Sequence, residues 1–254
     1  MTLWAVAGLA FGLATAGFLA GWLTAGATAA AGVIGTSVFW GTGLPGALLL
    51  GLFFISGSLF TAVNSKRHRE PGAARRNVRQ VLANGAWGAA GATLVGWGAP
   101  LGWAVMAGGL AAAQSDTWAT EIGRDSKTPP RLITTGEAVA TGTSGAITPR
   151  GTAGGILGAL ALAALAWASG ISLQVSAAAA VGGVAGMLAD SLLGATLQAR
   201  FRCTVCGEIV ERSAHQAGHT GVLLHGIGWL DNDVVNFLAC GAGAGIAVLL
   251  SRLG

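Results

Sequence analysis

Eight predominantly apolar runs divide the chain, over residues 3–22, 23–41, 44–63, 82–98, 100–120, 152–170, 172–195 and 233–251. Each approaches the roughly 20 residues that a helix needs to cross the hydrocarbon core of a bilayer. Short breaks at Gly41-Thr42-Gly43, Gly98-Ala99-Pro100 and Gly170 separate neighbouring runs and predict tight hairpins. Three polar stretches remain, 64–81, 121–151 and 196–232. The pattern predicts an all-α polytopic bundle of about eight spans, a single transmembrane domain over residues 1–254, with three polar loops.

Charge orients the bundle. Of the 14 Lys and Arg residues, 13 lie in the three polar stretches, and the remaining one is Arg252. An even number of predicted spans separates successive loops, so all three face one side, which the positive-inside rule makes the cytoplasm. The expectation is a multi-pass protein of the inner (plasma) membrane with cytoplasmic loops. Only 9% of residues are charged and 53% are hydrophobic, whereas a soluble domain carries about a quarter charged residues. An ordinary cytosolic enzyme is excluded. The 43 glycines in an alanine-rich background mark faces through which helices approach closely, because packing replaces the hydrophobic drive in lipid. Such faces also serve contacts between chains, which leaves a homo-oligomer open. The net charge of +4 fits basic loops beside anionic headgroups and calls for no nucleic-acid partner. The first run has no basic leader and no clear cleavage site, so it reads as a retained helix.

Acids sit where they are expensive: Asp116 and Glu121 at the end of the fifth run, Asp190 in the seventh, Asp231 and Asp233 at the start of the eighth. An ionisable group at membrane depth marks a functional site by default. Asp116 and Thr120 are one turn apart; Asp190, Gly194 and Gln198 share a face; so do Asp233 and Asn236. Carboxylates beside amide and hydroxyl oxygens are hard ligands suited to Mg²⁺, which often bridges to substrate phosphates. Asp231, before an apolar run, also reads as a helix N-cap.

The second loop carries Thr134-Thr135-Gly136, Thr141-Gly142-Thr143-Ser144-Gly145 and Thr148-Pro149-Arg150-Gly151. Such segments can turn amides and hydroxyls toward an anion, and equally describe a flexible loop. The first loop supplies Asn64, Lys66, Arg67, Arg75, Arg76 and Arg79, followed by Gln80 and Asn84. Arginine and lysine neutralise phosphate, although any inside loop would be basic; the amides are not needed for topology. In the third loop, Cys203-x2-Cys206-x8-His215-x3-His219 has the ligand types and spacing of a small structural zinc site, with His225 as a competing ligand and a pair of reduced thiols as the plainer reading.

Taken in order, Asn64-Ser65-Lys66, Gln80-Val81-Leu82-Ala83-Asn84-Gly85, Ser115-Asp116-Thr117-Trp118-Ala119-Thr120-Glu121, Gly142-Thr143-Ser144-Gly145, Asp190-Ser191-Leu192-Leu193-Gly194-Ala195 and Asp231-Asn232-Asp233 resemble the integral-membrane family that includes plant phytyl-phosphate kinase and animal transmembrane protein 19. The resemblance implies phosphoryl transfer from a nucleoside triphosphate to an isoprenyl monophosphate, of phytyl or geranylgeranyl type, at the cytoplasmic face. On that reading Asp116, Glu121, Asp190 and Asp233 form the catalytic set, with Mg²⁺ on Asp116, Asp190 and Asp233. Lys66, Arg67 and Arg79 hold phosphates, and Asn64, Asn84, Thr143, Ser144 and Gln198 complete the phosphate and nucleotide contacts. The attacking lipid phosphate is already anionic, so no general base is obligatory. Two other classes use the same inventory: a nucleotidyltransferase acting on a lipid phosphate, and a transporter that relays an ion through its intramembrane acids.

Overall fold

The computed structural model describes residues 2–68, 75–211 and 219–253. Among the described residues the bundle is built from the helical stretches α1 (Leu3–Leu19), α2 (Ala25–His68), α3 (Val78–Gly96), α4 (Gly102–Gly123), α5 (Pro149–Ala168), α6 (Leu173–Thr196) and α7 (Asn232–Leu250). Four of them, α2, α5, α6 and α7, are long and apolar enough to cross a membrane, and α1 is a shorter apolar helix. The two that fall short, α3 and α4, carry Arg79, Gln80, Asn84, Gln114, Asp116 and Glu121. Their lower hydropathy comes from groups that line the polar end of the molecule.

The continuous stretch α2 is two helices that meet at Gly43, at the Gly41-Thr42-Gly43 break that separates the runs 23–41 and 44–63. A straight α2 of 44 residues would be about 66 Å long, roughly twice the hydrocarbon core. Gly43 instead takes φ 63 and ψ −145, a conformation that costs glycine little and other residues much. Contacts on its two sides run in opposite senses. Before it, Gly26 meets Val78, Ile34 meets Gly85 and Gly41 meets Ala92, so this half runs parallel to α3. After it, Gly46 meets Met106, Gly57 meets Thr117 and Asn64 meets Glu121, so the second half runs parallel to α4. Since α3 and α4 are antiparallel, with Gly91 against Met106 and Gly88 against Leu110, the chain reverses at Gly43.

Helix α4 is the axis. Every residue from Met106 to Ser115 is buried, as expected of a helix surrounded by others. Its neighbours reach it through positions without a Cβ. A Cβ on Gly91 of α3 would lie 2.3 Å from Met106 N; on Gly155 of α5, 2.9 Å from Ser115 O; on Gly183 of α6, 2.9 Å from Ala111 Cβ. Gly108 of α4 itself faces Gly243 O of α7 at 2.7 Å on the same measure.

The polar loops add short strands that the all-α expectation did not include. In the second loop β1 (Arg131–Leu132) pairs antiparallel with β2 (Ala146–Ile147). In the third, β3 (Arg200–Cys203) lies between β4 (Ile209–Val210) and β5 (Gly221–His225), antiparallel to both. Gly91→Val is expected to lower stability by about 1–3 kcal/mol through overpacking against the α4 backbone, whereas Gly12→Val, at a position with open space around it, is expected to be near neutral; thermal unfolding in detergent distinguishes the two.

Candidate functional site

One helix contact sets the geometry. Gly186 of α6 fits between α4 and α7, where a Cβ would lie 2.4 Å from Ala112 Cβ and 2.9 Å from Ala239 O. One turn farther along the parallel helices α4 and α6 come Asp116 and Asp190. One turn back along α7 comes Asn236, since residues three or four apart share a helix face. All three line a polar cavity of about 500 Å³ at the end of the bundle where the three loops meet.

The helix contact at Gly186 makes the two carboxylates neighbours across α4 and α6, and Asp190 Oδ2 is buried with no hydrogen-bond partner. The ion pairs among the described residues join Arg67 and His68 to Asp125, and Arg79 to Asp231 and Asp233, so none neutralises Asp116 or Asp190. Two half-buried carboxylates, one with an orphaned oxygen, fit a divalent cation. Mg²⁺ commonly takes one or two carboxylates and completes its shell with water and phosphate oxygens. Thr120, Ser191 and Asn236 add neutral oxygens on the cavity wall. Among the described residues, no three His, Cys, Asp or Glu side chains gather closely enough to hold an ion by themselves.

The same cavity carries groups that favour anions. Arg75, Arg76 and Arg124 line it, and so does the first turn of α5, whose cap is Thr148, accepting from Gly151 N at 2.9 Å. A helix N-terminus presents unpaired amides and a positive dipole end. Burial pulls the Arg76 guanidinium down to about 10, against the opposing attraction of Glu121; it stays charged at neutral pH. The segment 141–148 forms the rim. Gly145, at φ 78, sits where a Cβ would lie 2.3 Å from Ala195 N, so the loop rests directly on the end of α6. Ser144 accepts from Gln198 at 2.9 Å and donates to Glu211, and Arg200 holds the Ser144 carbonyl at 2.9 Å.

Of the residues expected from the sequence, Asp116, Glu121, Asp190, Asn84, Thr143, Ser144 and Gln198 line this cavity. Several take other duties. Glu121 accepts from Thr61 at 2.6 Å and from Asn64 at 2.7 Å, and Asn64 also donates to its backbone carbonyl at 2.8 Å. Asn64 thus latches α2 to α4 and does not line the cavity. Lys66 is exposed outside the cavity, and Arg67 pairs with Asp125. Arg79 binds Asp231 at 2.5 Å and Asp233 at 3.3 Å, which removes both Arg79 and Asp233 from the cavity wall. Asp231 is the N-cap expected of it, and Gln80 completes a capping box with Asn77 at the start of α3. In α7 the cavity takes Asn232 and Asn236 in place of Asp233.

Arg76 was named only among the first-loop cations, because nothing in a basic loop separates it from Arg67 before the fold is known, and Arg124 and Glu211 carried no motif that would single them out. Of the zinc set, Cys203 and Cys206 flank the β3–β4 turn, Cys206 also near Glu208. His219 follows at the start of the next described segment, and His215 lies outside the described residues. His225 is taken up by the Thr196 carbonyl at 3.0 Å.

Comparison with known proteins places these features in a wider set. The profile described as Integral membrane protein DUF92 matches residues 8–244. An uncharacterized membrane protein of Methanocaldococcus jannaschii is 38% identical over 176 residues, covering 66% of this chain and 73% of its own length. Protein PGR of Arabidopsis thaliana is 32% identical over 76% of this chain and 77% of its own. Protein VTE6, chloroplastic, of Arabidopsis thaliana is 28% identical over 91% of this chain and 66% of its own. No solved structure matches.

Asn64→Ala removes two hydrogen bonds and leaves the Glu121 carboxylate partly unsatisfied. It is expected to cost about 1–3 kcal/mol, read as a lower unfolding temperature in detergent, with Asn64→Asp worse because it sets two carboxylates together.

Proposed function

The chain belongs to the integral membrane family DUF92, and on that premise we propose that it transfers the terminal phosphoryl group of a nucleoside triphosphate to an isoprenyl monophosphate, forming the diphosphate. The observation that carries this reading is a cavity lined both by two carboxylates without a counter-ion, Asp116 and Asp190, and by Arg75, Arg76, Arg124 and the first turn of α5. Such a site suits two phosphate groups and a divalent cation. The family that the motifs resemble includes plant phytyl-phosphate kinase, which supplies the reaction class.

In the reaction an oxygen of the lipid phosphate forms a bond to the γ-phosphorus, the bond from that phosphorus to the β–γ bridging oxygen breaks, and the nucleoside diphosphate departs with the electron pair. Phosphoryl transfer of this kind rests on positioning and charge neutralisation more than on covalent help from the protein. Asp116 and Asp190 would hold Mg²⁺, which would supply charge neutralisation at the phosphate oxygens. Arg76 and Arg124 draw the two phosphates together against their mutual repulsion, and the first turn of α5 offers amides to an oxygen. The rim segment, fixed by Gln198 and Arg200, limits water at the cavity mouth. The basic loops orient this end toward the cytoplasm by the positive-inside rule, where nucleotide is available. A transporter fits less well, because the acids gather at one end of the helices instead of lying at mid-span.

Purified protein with Mg²⁺, a nucleoside triphosphate and geranylgeranyl or phytyl monophosphate is expected to give the lipid diphosphate and nucleoside diphosphate by mass spectrometry. A nucleotide-linked lipid with released pyrophosphate would identify a nucleotidyltransferase instead. Asp116→Asn and Asp190→Asn are each expected to lower kcat by about a hundredfold or more, comparable with losing one major electrostatic group of an active site. Full activity in either would remove the metal assignment.

A further inference from the structure

Beside the polar cavity lies a second one of about 430 Å³, walled by α1, both halves of α2 and the start of α3. Its lining is apolar, including Leu13, Leu50, Phe53, Phe54 and Val81, with two exceptions: Arg76 and Asn84. Those same two residues also line the polar cavity. The apolar groove therefore meets the phosphate site at a guanidinium and an amide.

The local fold holds Arg76 at that junction. Its N–H donates to the Trp22 carbonyl at 2.9 Å, and its carbonyl accepts from Thr24 N at 3.1 Å, which fixes it to the turn between α1 and α2. The guanidinium packs over Phe53 at 5.1 Å and Phe54 at 5.9 Å. Gly57 gives it room, since a Cβ there would lie 2.5 Å from Nη2. The far side of the groove opens toward lipid through Leu9, Leu13 and Ile55, which are about half exposed.

We infer that this groove is the tail site of the lipid substrate: an isoprenyl monophosphate enters sideways from the bilayer, lays its chain between α1 and α2, and sets its phosphate on Arg76. The inference rests on the reading of the polar cavity as a phosphate site, and adds where the acceptor lies and which residue holds its head. A volume of 430 Å³ falls within the range of about 300–1,000 Å³ found for small-ligand pockets. Charge complementarity selects the amphiphile, since a neutral tail gains nothing from the cation at the mouth. Gly51 provides a handle on length: a Cβ there meets no atom within 4 Å, so a longer side chain enters the groove without disturbing a helix contact.

The test uses the full chain in phosphatidylcholine nanodiscs, without nucleotide, and a geranylgeranyl monophosphate bearing a diazirine at the tail end. Saturable labelling on α1 and α2 is expected. Arg76→Gln should weaken binding about tenfold or more, and Arg76→Lys should recover part of the loss. Gly51→Leu should weaken binding of this chain more than of geranyl monophosphate, while Leu160→Ala on the lipid face of α5 should change neither. Labelling confined to α5–α7, or equal competition by geranylgeraniol or phosphatidic acid, overturns the inference. Turnover to the diphosphate that is indifferent to both Arg76→Gln and Gly51→Leu also overturns it while leaving the kinase reading in place. Groove labelling in a protein that converts no nucleotide keeps the tail site and removes the kinase.

Discussion

Backbone-to-backbone approach around α4 is the constraint on which the rest depends. Lipid gives helices no hydrophobic reason to associate, so contact has to come from close packing, and here it comes from glycines that place neighbouring carbonyls and methyl groups where a Cβ would otherwise be. At Gly186 this brings α4, α6 and α7 within van der Waals contact at one level. The helical repeat then carries Asp116, Asp190 and Asn236 to one level a turn away. Site geometry is thus a consequence of packing, and a clash at Gly186 would displace all three groups together.

Acids at this end of the bundle divide by whether the protein supplies their counter-charge. Asp231 and Asp233 have Arg79; Asp125 has Arg67; Glu121 has the hydroxyl of Thr61 and the amide of Asn64. These pairs tie helix ends to one another. Asp116 and Asp190 have no such partner, although arginines line the same cavity. Placing two like charges side by side in a medium of low dielectric is costly unless a cation joins them, and the cost is worth carrying where the cation belongs to the chemistry.

Much of this was legible in the residues. Apolar runs located the helices to within a few positions because each is bounded by glycine, proline or charge; Asp190 and Gln198 both line the cavity, although α6 ends at Thr196, so Gln198 reaches it from beyond the helix and not along a shared helix face. What the residues could not show was pairing. Asp233 and Asn236 share a helix face in the sequence, yet Arg79, distant along the chain, takes Asp233 and leaves Asn236 to the cavity. Asn64 resembles a ligand until Glu121 arrives beside it. The reversal inside α2 was visible as the Gly41-Thr42-Gly43 break, and Gly43's backbone is where the chain turns. The small strands of the loops are set by tertiary pairing across segments too short for a period of two to register.

Arg76 shows why a basic loop can hold a specific residue. Lys66, Arg67 and Arg76 satisfy the same topological rule, but Arg76 alone of the three is fixed through its backbone to the turn between α1 and α2 and through its side chain to Phe53 and Phe54. A cation held so firmly loses little conformational freedom when it takes up a phosphate. Its place in the cavity that Asp116 and Asp190 also line answers the main electrostatic difficulty of joining two phosphates: positive charge must gather around the pair. On the proposed reading arginine and the divalent cation supply that charge together, so a lipid phosphate and a nucleotide phosphate can share a cavity that neither would enter against the other's charge alone.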